Sequence, residues 1–181
     1  GNADGAWLKS LTAQPDAWDK WAFPYRFKAP MAPAMAAQRE GVRISVAKVV
    51  AGVRRLEKLC DVLLVEGAGG VLVPIRGNYC VADFMAELGY PAIIVSRLGL
   101  GTINHSLLTV EALRARGVLI EGIIFNQAKK AALGLVEKQN PDVIATLGRV
   151  RVMGSLPYIK ASPHIRITRL CRHLMPLSMA T

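Results

Sequence analysis

The sequence has little of three features that would each mark a class of protein: cysteine, secretory signal character and long apolar runs. Its three cysteines, Cys60, Cys80 and Cys171, are far apart and match neither a disulfide framework nor a zinc site. Charged or turn residues interrupt every apolar run before the roughly 18–20 residues that a bilayer span requires. No basic region followed by an apolar stretch opens the chain, so no secretory signal is visible. We therefore expect a cytoplasmic protein with no membrane partner.

Acidic residues are missing from the C-terminal part of the chain. All 13 lie at or before Asp142, whereas six of the 23 Lys and Arg residues follow it, within a net charge of +10. This basic tail has no interleaved aromatic residues on which single-stranded nucleic acid would stack. We expect a divergent, solvated tail at 164–181 after a domain at 1–163, and no nucleic-acid partner. A tail that binds nucleic acid through Arg166, Arg169 and Arg172 is the weaker alternative.

The apolar residues that are present, 52% of the chain, form a strand–helix alternation. Residues 1–35 predict turns and short helices, and residues 44–60 an amphipathic helix. Apolar runs without alternation predict buried strands, as in a parallel sheet covered on both faces. The strands are expected at 62–65, 92–95, 120–125 and 150–153, and the helices between them at 81–88, 104–116 and 142–147, with Pro141 in the first turn of the last helix. This order predicts an open, mostly parallel α/β fold.

Ligands of such folds bind beyond the carboxyl ends of the strands, which directs attention to the loops that follow them. Glu66 ends the first predicted strand and is followed by small residues only. Its carboxylate suits a hard cation, and a glycine backbone allows phosphate to approach closely. An ordinary glycine turn that closes a strand remains the alternative.

The segment at 99–105, GLGTINH, follows the second strand and opens a helix. Free N–H groups and the helix dipole at such a start attract an anion. A dinucleotide fingerprint is the weaker alternative, because Asn104 stands where the third glycine belongs and Glu121 lies at the start of the next strand rather than the end of one. A plainly capped helix start is the other possibility.

Asn126 closes the third predicted strand, where an amide can read both the donor and the acceptor edge of a base. A turn-forming asparagine is the alternative. Pro157 and Tyr158 follow the fourth strand, where their side chains can pack against the face of a nucleotide base by apolar contact. His105, His164 and His173 have no metal-ligand spacing. These residues alone do not choose between a nucleotide site and ordinary loops.

The phosphate-cradling string G-x-x-x-x-G-K-[ST] does not occur anywhere in the chain. Lys9 and Ser10 match the last two positions of this string, but the glycine that must precede the lysine is absent, since residue 8 is leucine.

Taken together, the quoted segments resemble the dethiobiotin synthetase family. The matching pieces are NADGA at 2–6, PYRFKAPMAP at 24–33, LLVEGAGG at 63–70, GLGTINH at 99–105, IFN at 124–126 and GSLPY at 154–158. They cover residues 1 to about 160 in the family's order. The resemblance implies a fold like that of P-loop nucleotide hydrolases. It also implies that the family's phosphate loop, on its first strand, and its catalytic Lys, on its second, lie upstream of the matched segments, so we expect an N-terminally truncated chain without catalytic residues.

The resemblance assigns a role to each site residue. The implied cofactors are ATP and Mg²⁺, with Asp4 and Glu66 as the metal ligands beside the ATP phosphates. Gly67, Ala68 and Gly69 would line the cleft, Asn126 and Gln127 would meet adenine, and Pro157, Tyr158 and Ile159 would lie on the other side of the base. Substrate would contact Pro30, Ala32 and Pro33 and, across a homodimer interface, the helix start of Gly101, Thr102, Ile103 and Asn104.

The implied reaction carboxylates an amine of 7,8-diaminononanoate with CO2, phosphorylates the carbamate with ATP and closes the ureido ring of dethiobiotin with loss of phosphate. Electrostatic stabilisation of the transferred phosphoryl group is its main catalytic requirement. Because the phosphate loop is missing, we expect this chain to be inactive by itself. A non-catalytic, dimerising interaction protein of the same fold is the alternative.

Overall fold

The computed structural model describes residues 6, 8–10, 14–130, 132 and 134–160. The chain divides into two compact units, Gly1–Leu88 and Gly89–Thr181. Asp4, His164 and the tail at 164–181 lie outside the described residues, as does the expected domain boundary after residue 163. The proposals for those positions therefore remain sequence-based.

The first unit is mainly helical. After a short 3-10 helix at Asp16–Trp18, its helices are α1 (Asp19–Ala22), α2 (Pro33–Arg39), α3 (Val46–Glu57) and α4 (Val81–Leu88), and its strands, paired antiparallel, are β1 (Pro74–Arg76) and β2 (Tyr79–Cys80). The Ser45 hydroxyl caps α3 by accepting from the backbone N–H of Lys48. The predictions of short helices near the N-terminus, an amphipathic helix within 44–60 and a helix at 81–88 are confirmed.

The second unit is a three-stranded parallel sheet with two helices. Its elements are β3 (Ala92–Ser96), α5 (Thr102–Arg114), β4 (Ile120–Asn126), α6 (Leu135–Gly148) and β5 (Val152–Leu156), with the sheet order β3-β4-β5. Ser96 of β3 pairs with Phe125 of β4, which pairs with Ser155 of β5. The carboxyl ends of the three strands therefore meet at one edge, and this arrangement confirms the α/β fold expected from the sequence.

Burial in the second unit centres on β4. Residues 122–125 of this strand are buried in succession, as the sequence predicted for a central strand covered on both faces. Gly122 allows the neighbouring strand to approach, since an added Cβ would lie 2.9 Å from the Arg151 carbonyl oxygen. In β3, by contrast, Ile93 and Val95 are exposed. The expectation of two-face burial is thus wrong for β3, because only one of its faces is covered by described residues.

Two predicted elements differ in the structure. Residues 62–65 form neither helix nor strand and pair with no strand among the described residues, and the Leu64 side chain is 84% exposed. The predicted buried strand is therefore wrong here, because an apolar run becomes a strand only when neighbouring strands satisfy its backbone. Helix α6 begins at Leu135, well before the predicted 142, and contains Pro141 in its interior. It continues past Pro141 although this residue has no N–H to donate to Glu137.

No helix in the part of the chain that the structure describes has the length and apolar character needed to cross a membrane.

Candidate functional site

Asn126 and the segment after β5 lie side by side at the carboxyl edge of the sheet. Asn126 pairs in register with Leu156, and the backbone N–H of Gln127 donates to the Leu156 carbonyl oxygen at 2.9 Å. Because Leu156 directly precedes Pro157, these pairings bring both halves of the expected adenine site to one place. The Asn126 side chain is exposed, and that of Tyr158 is 38% exposed. Both side chains are thus accessible to a ligand at this edge.

The β3–α5 loop lies at the same edge and ends in the start of α5. Gly101 adopts φ +86°, a left-handed conformation that favours glycine. The N–H of Thr102 donates to the Gly99 carbonyl, and that of His105 makes the first intrahelical bond, to Gly101. The N–H groups of Ile103 and Asn104 thus precede the first intrahelical donor and point outward from the helix start. They are the donors that the α5 start offers to an anion.

The side chain of Thr102 faces inward rather than toward a ligand. It is 1% exposed, and its hydroxyl donates to the Arg97 carbonyl oxygen. An aspartate introduced at Thr102 would therefore bury a charge in the loop instead of testing ligand binding. Asn104, which is exposed, is the position where a charge tests the helix start.

An open groove of about 530 Å³ runs from the α5 start along the neighbouring helix. It is bordered by Ile103 and Asn104 from the helix start, by Leu107 and Leu108 further along α5, and by Val136 and Asn140 of α6. Arg97 donates to Nδ1 of His105 at 3.1 Å beside Gly101. The groove thus combines apolar walls with the backbone donors of the α5 start, and Glu111 of α5 adds a carboxylate to its lining.

The glycine-rich segment after Glu66 belongs to the first unit. Gly67 lies against α4, where an added Cβ would meet Val81 Cγ1 at 2.7 Å. Gly69 adopts φ +83°. Packing and backbone conformation therefore require glycine at both positions, whatever ligand Gly67, Ala68 and Gly69 bind. Glu66 itself is exposed, with no recorded hydrogen bond or ion pair among the described residues.

The proline-rich segment expected to contact substrate forms the entry to α2, also in the first unit. Pro30 is exposed, whereas Ala32 and Pro33 are half-buried. Ala32 is the N-cap of α2, and its carbonyl oxygen accepts from Ala36 at 2.9 Å, with Pro33 in the first helical turn. Proline is favourable there because backbone N–H groups in the first helical turn have no intrahelical acceptor, so Pro33 loses no hydrogen bond.

Within the described residues, no group of three or more His, Cys, Asp or Glu side chains is arranged to hold a metal ion. Since Asp4 is not among them, the proposed pair of Asp4 and Glu66 remains a sequence-based proposal.

Comparisons with known proteins identify the family. The family model described as "AAA domain" matches residues 1–164. The ATP-dependent dethiobiotin synthetase BioD of Thermodesulfovibrio yellowstonii is 35% identical over 164 residues, covering 87% of this chain and 68% of the relative. The chain belongs to the dethiobiotin synthetase family.

Two further relatives bear the same name but are covered less completely. The BioD of Anaeromyxobacter sp. strain Fw109-5 is 44% identical over 144 residues, covering 79% of this chain and 61% of the relative. The BioD of Bacillus velezensis is 42% identical over 134 residues, with coverages of 74% and 57%. The chain thus spans about three fifths of the length of these two synthetases.

The sequence of this dethiobiotin synthetase family member predicts the loops at the strand ends but contains no specific signal for Arg97 or Asn140. Arg97 contacts His105, and Asn140 lines the groove beside the α5 start. The sequence predicts a helix that begins only at residue 142, so it assigns Asn140 to no element, whereas the helix begins at Leu135. A single asparagine in this segment is not a specific signal of a buried hydrogen bond.

Proposed function

We propose that the chain supplies the adenine-binding and substrate-carboxylate-binding parts of a cytoplasmic, homodimeric dethiobiotin synthetase. The observation that carries this proposal is the pairing of Asn126 and Gln127 with Leu156, at the same edge as the α5 start. The substrates would be 7,8-diaminononanoate, CO2 and ATP. The synthetase names of the relatives support ATP and a ligase of biotin biosynthesis.

In this proposal the residues of the chain bind and orient rather than react. The Asn126 amide reads adenine while Pro157, Tyr158 and Ile159 exclude water from the face of the base. The N–H groups of the α5 start donate to the substrate carboxylate across a two-fold interface. This contact orients the substrate, whose amines lie at the other end of the alkyl chain.

Magnesium fits the chemistry of Glu66, an exposed carboxylate without a competing cation among the described residues. Asp4 would complete the site. When bound, the ion neutralises the charge on the ATP phosphates. In this proposal the Glu66 carboxylate would hold the ion at the start of the glycine-rich segment.

Replacement of Asn126 by alanine tests the nucleotide half of the proposal. Loss of a bidentate amide contact costs about 1–3 kcal/mol, so ATP affinity should fall by roughly 5- to 150-fold and the preference for ATP over other triphosphates should narrow. Calorimetric titration with ATP and GTP measures both effects. Asn78→Ala, at an exposed position in the β1–β2 turn, is the matched control. If Asn126→Ala binds both nucleotides as the parent chain does, Asn126 is a turn residue only.

Asn104→Asp tests the substrate half. The new carboxylate would repel the substrate carboxylate at the helix start, although aspartate is otherwise favourable near a helix N-terminus. We expect at least about tenfold weaker binding of 7,8-diaminononanoate with ATP affinity nearly unchanged. Titration of each ligand separately distinguishes the outcomes, with Asn78→Asp as the charge-matched control. Undiminished diaminononanoate affinity would remove the α5 start from the substrate site.

A further inference from the structure

Asn140 is a buried amide in α6 that no motif accounts for. It is 5% exposed, and its side-chain nitrogen Nδ2 donates to the backbone carbonyl oxygen of Leu98 at 2.8 Å. Since a carbonyl only accepts, this bond fixes the orientation of the amide. Leu98, itself buried, belongs to the β3–α5 loop. Asn140 therefore ties α6 to that loop from a distance of 42 residues along the chain.

A second buried side chain holds the preceding residue of the same loop. The Thr102 hydroxyl donates to the Arg97 carbonyl oxygen, and Ser106, one turn further along α5, lies 2.7 Å from the hydroxyl of Ser96. Two consecutive loop carbonyls, those of Arg97 and Leu98, are thus held by donors from two different helices. This arrangement fixes where the loop enters α5.

Asn140 also borders the groove that Ile103 and Asn104 line. Its position links the loop anchor to the helix start that offers free N–H donors. An apolar residue could fill the same volume but would leave the Leu98 carbonyl unpaired in a buried place.

We propose that Asn140 is a positioning residue, which fixes the β3–α5 loop through the Leu98 carbonyl and thereby preorganises the α5 start for the substrate carboxylate. The role of the α5 start in substrate binding rests on the function proposed above, whereas the fixation of the loop by Asn140 is measured without substrate.

The loop is tested by hydrogen exchange on the unliganded full chain. In Asn140→Leu, which has a similar volume and no donor, the Thr102 amide, bonded to Gly99, should exchange about tenfold faster or more. The Ile123 amide, bonded to Arg151 across the sheet, is the internal reference and should change less than about twofold. Equal acceleration of both amides, or of neither, would overturn the proposal, because global destabilisation affects them alike.

The consequence for substrate is tested by titration of Asn140→Asp. A buried carboxylate against a carbonyl oxygen has a raised pKa, and only its protonated form can donate to Leu98. Diaminononanoate affinity should therefore be about tenfold weaker than that of the parent near pH 9 and recover toward pH 6, with ATP affinity within about twofold throughout. Gln139→Glu, an exposed amide-to-carboxylate change on the same helix, should show no such pH profile.

These measurements distinguish a failure of the Asn140 loop anchor from a failure of the proposed substrate. A parent chain that binds ATP but no diaminononanoate, together with faster Thr102 exchange in Asn140→Leu, supports the loop anchor and refutes the proposed substrate. Weakened binding of both ligands by Asn140→Asp, or a pH-independent loss, refutes positioning of the α5 start.

Discussion

Supplied with MgATP, CO2 and 7,8-diaminononanoate, the purified 181-residue chain should form no dethiobiotin above background. The sequence contains no G-x-x-x-x-G-K-[ST] string, so neither the backbone cradle for phosphate nor its lysine is provided. Each missing donor to the transferred phosphoryl group removes roughly 100- to 1,000-fold in rate. Product formation, measured by mass spectrometry, should match that of an enzyme-free mixture.

The full-length Bacillus velezensis relative, assayed in parallel, is the positive control for that experiment. A chimera that places ahead of Gly1 a phosphate-loop segment of the kind that the family resemblance implies should gain activity if this chain forms a competent partner for it. Turnover by the 181-residue chain would contradict the prediction and show that another group performs phosphate binding. A folded chimera that binds ATP without turnover would favour the alternative of a non-catalytic interaction protein.

Phe125→Ala should destabilise the second unit by about 3–5 kcal/mol. Phe125 is fully buried in β4, between the two other strands of the sheet, and truncation there leaves a cavity that the flanking strands cannot fill. Urea denaturation monitored by circular dichroism gives the change in unfolding free energy. Because Asn126 is the next residue, nucleotide affinity should fall together with stability.

Val95→Ala is the matched control for that measurement. This side chain lies on β3 and is 64% exposed, so its truncation should cost less than about 1 kcal/mol. Similar losses for the two variants would mean that the core is not centred on β4.

The sequence located the ends of the elements that carry the candidate site because those signals are local. An apolar run followed by a polar or glycine residue marks the end of a strand, and this pattern located Asn126 at the end of β4. The same reasoning located the α5 start to within two residues of Thr102. The family resemblance needed only the order and spacing of short segments, and the comparisons confirm it.

Contacts between residues that are distant in the sequence decided the features that local patterns did not predict. Residues 62–65 have the composition of a buried strand, yet no described strand pairs with them, and pairing is what separates a strand from an exposed apolar segment. The sequence by itself determined the family and the α/β alternation, and it located Asn126 at the end of a strand. Only the tertiary structure decided that Thr102 turns inward and that Asn140 reaches Leu98, because hydrogen bonds of buried side chains depend on which backbone carbonyls the fold brings to them.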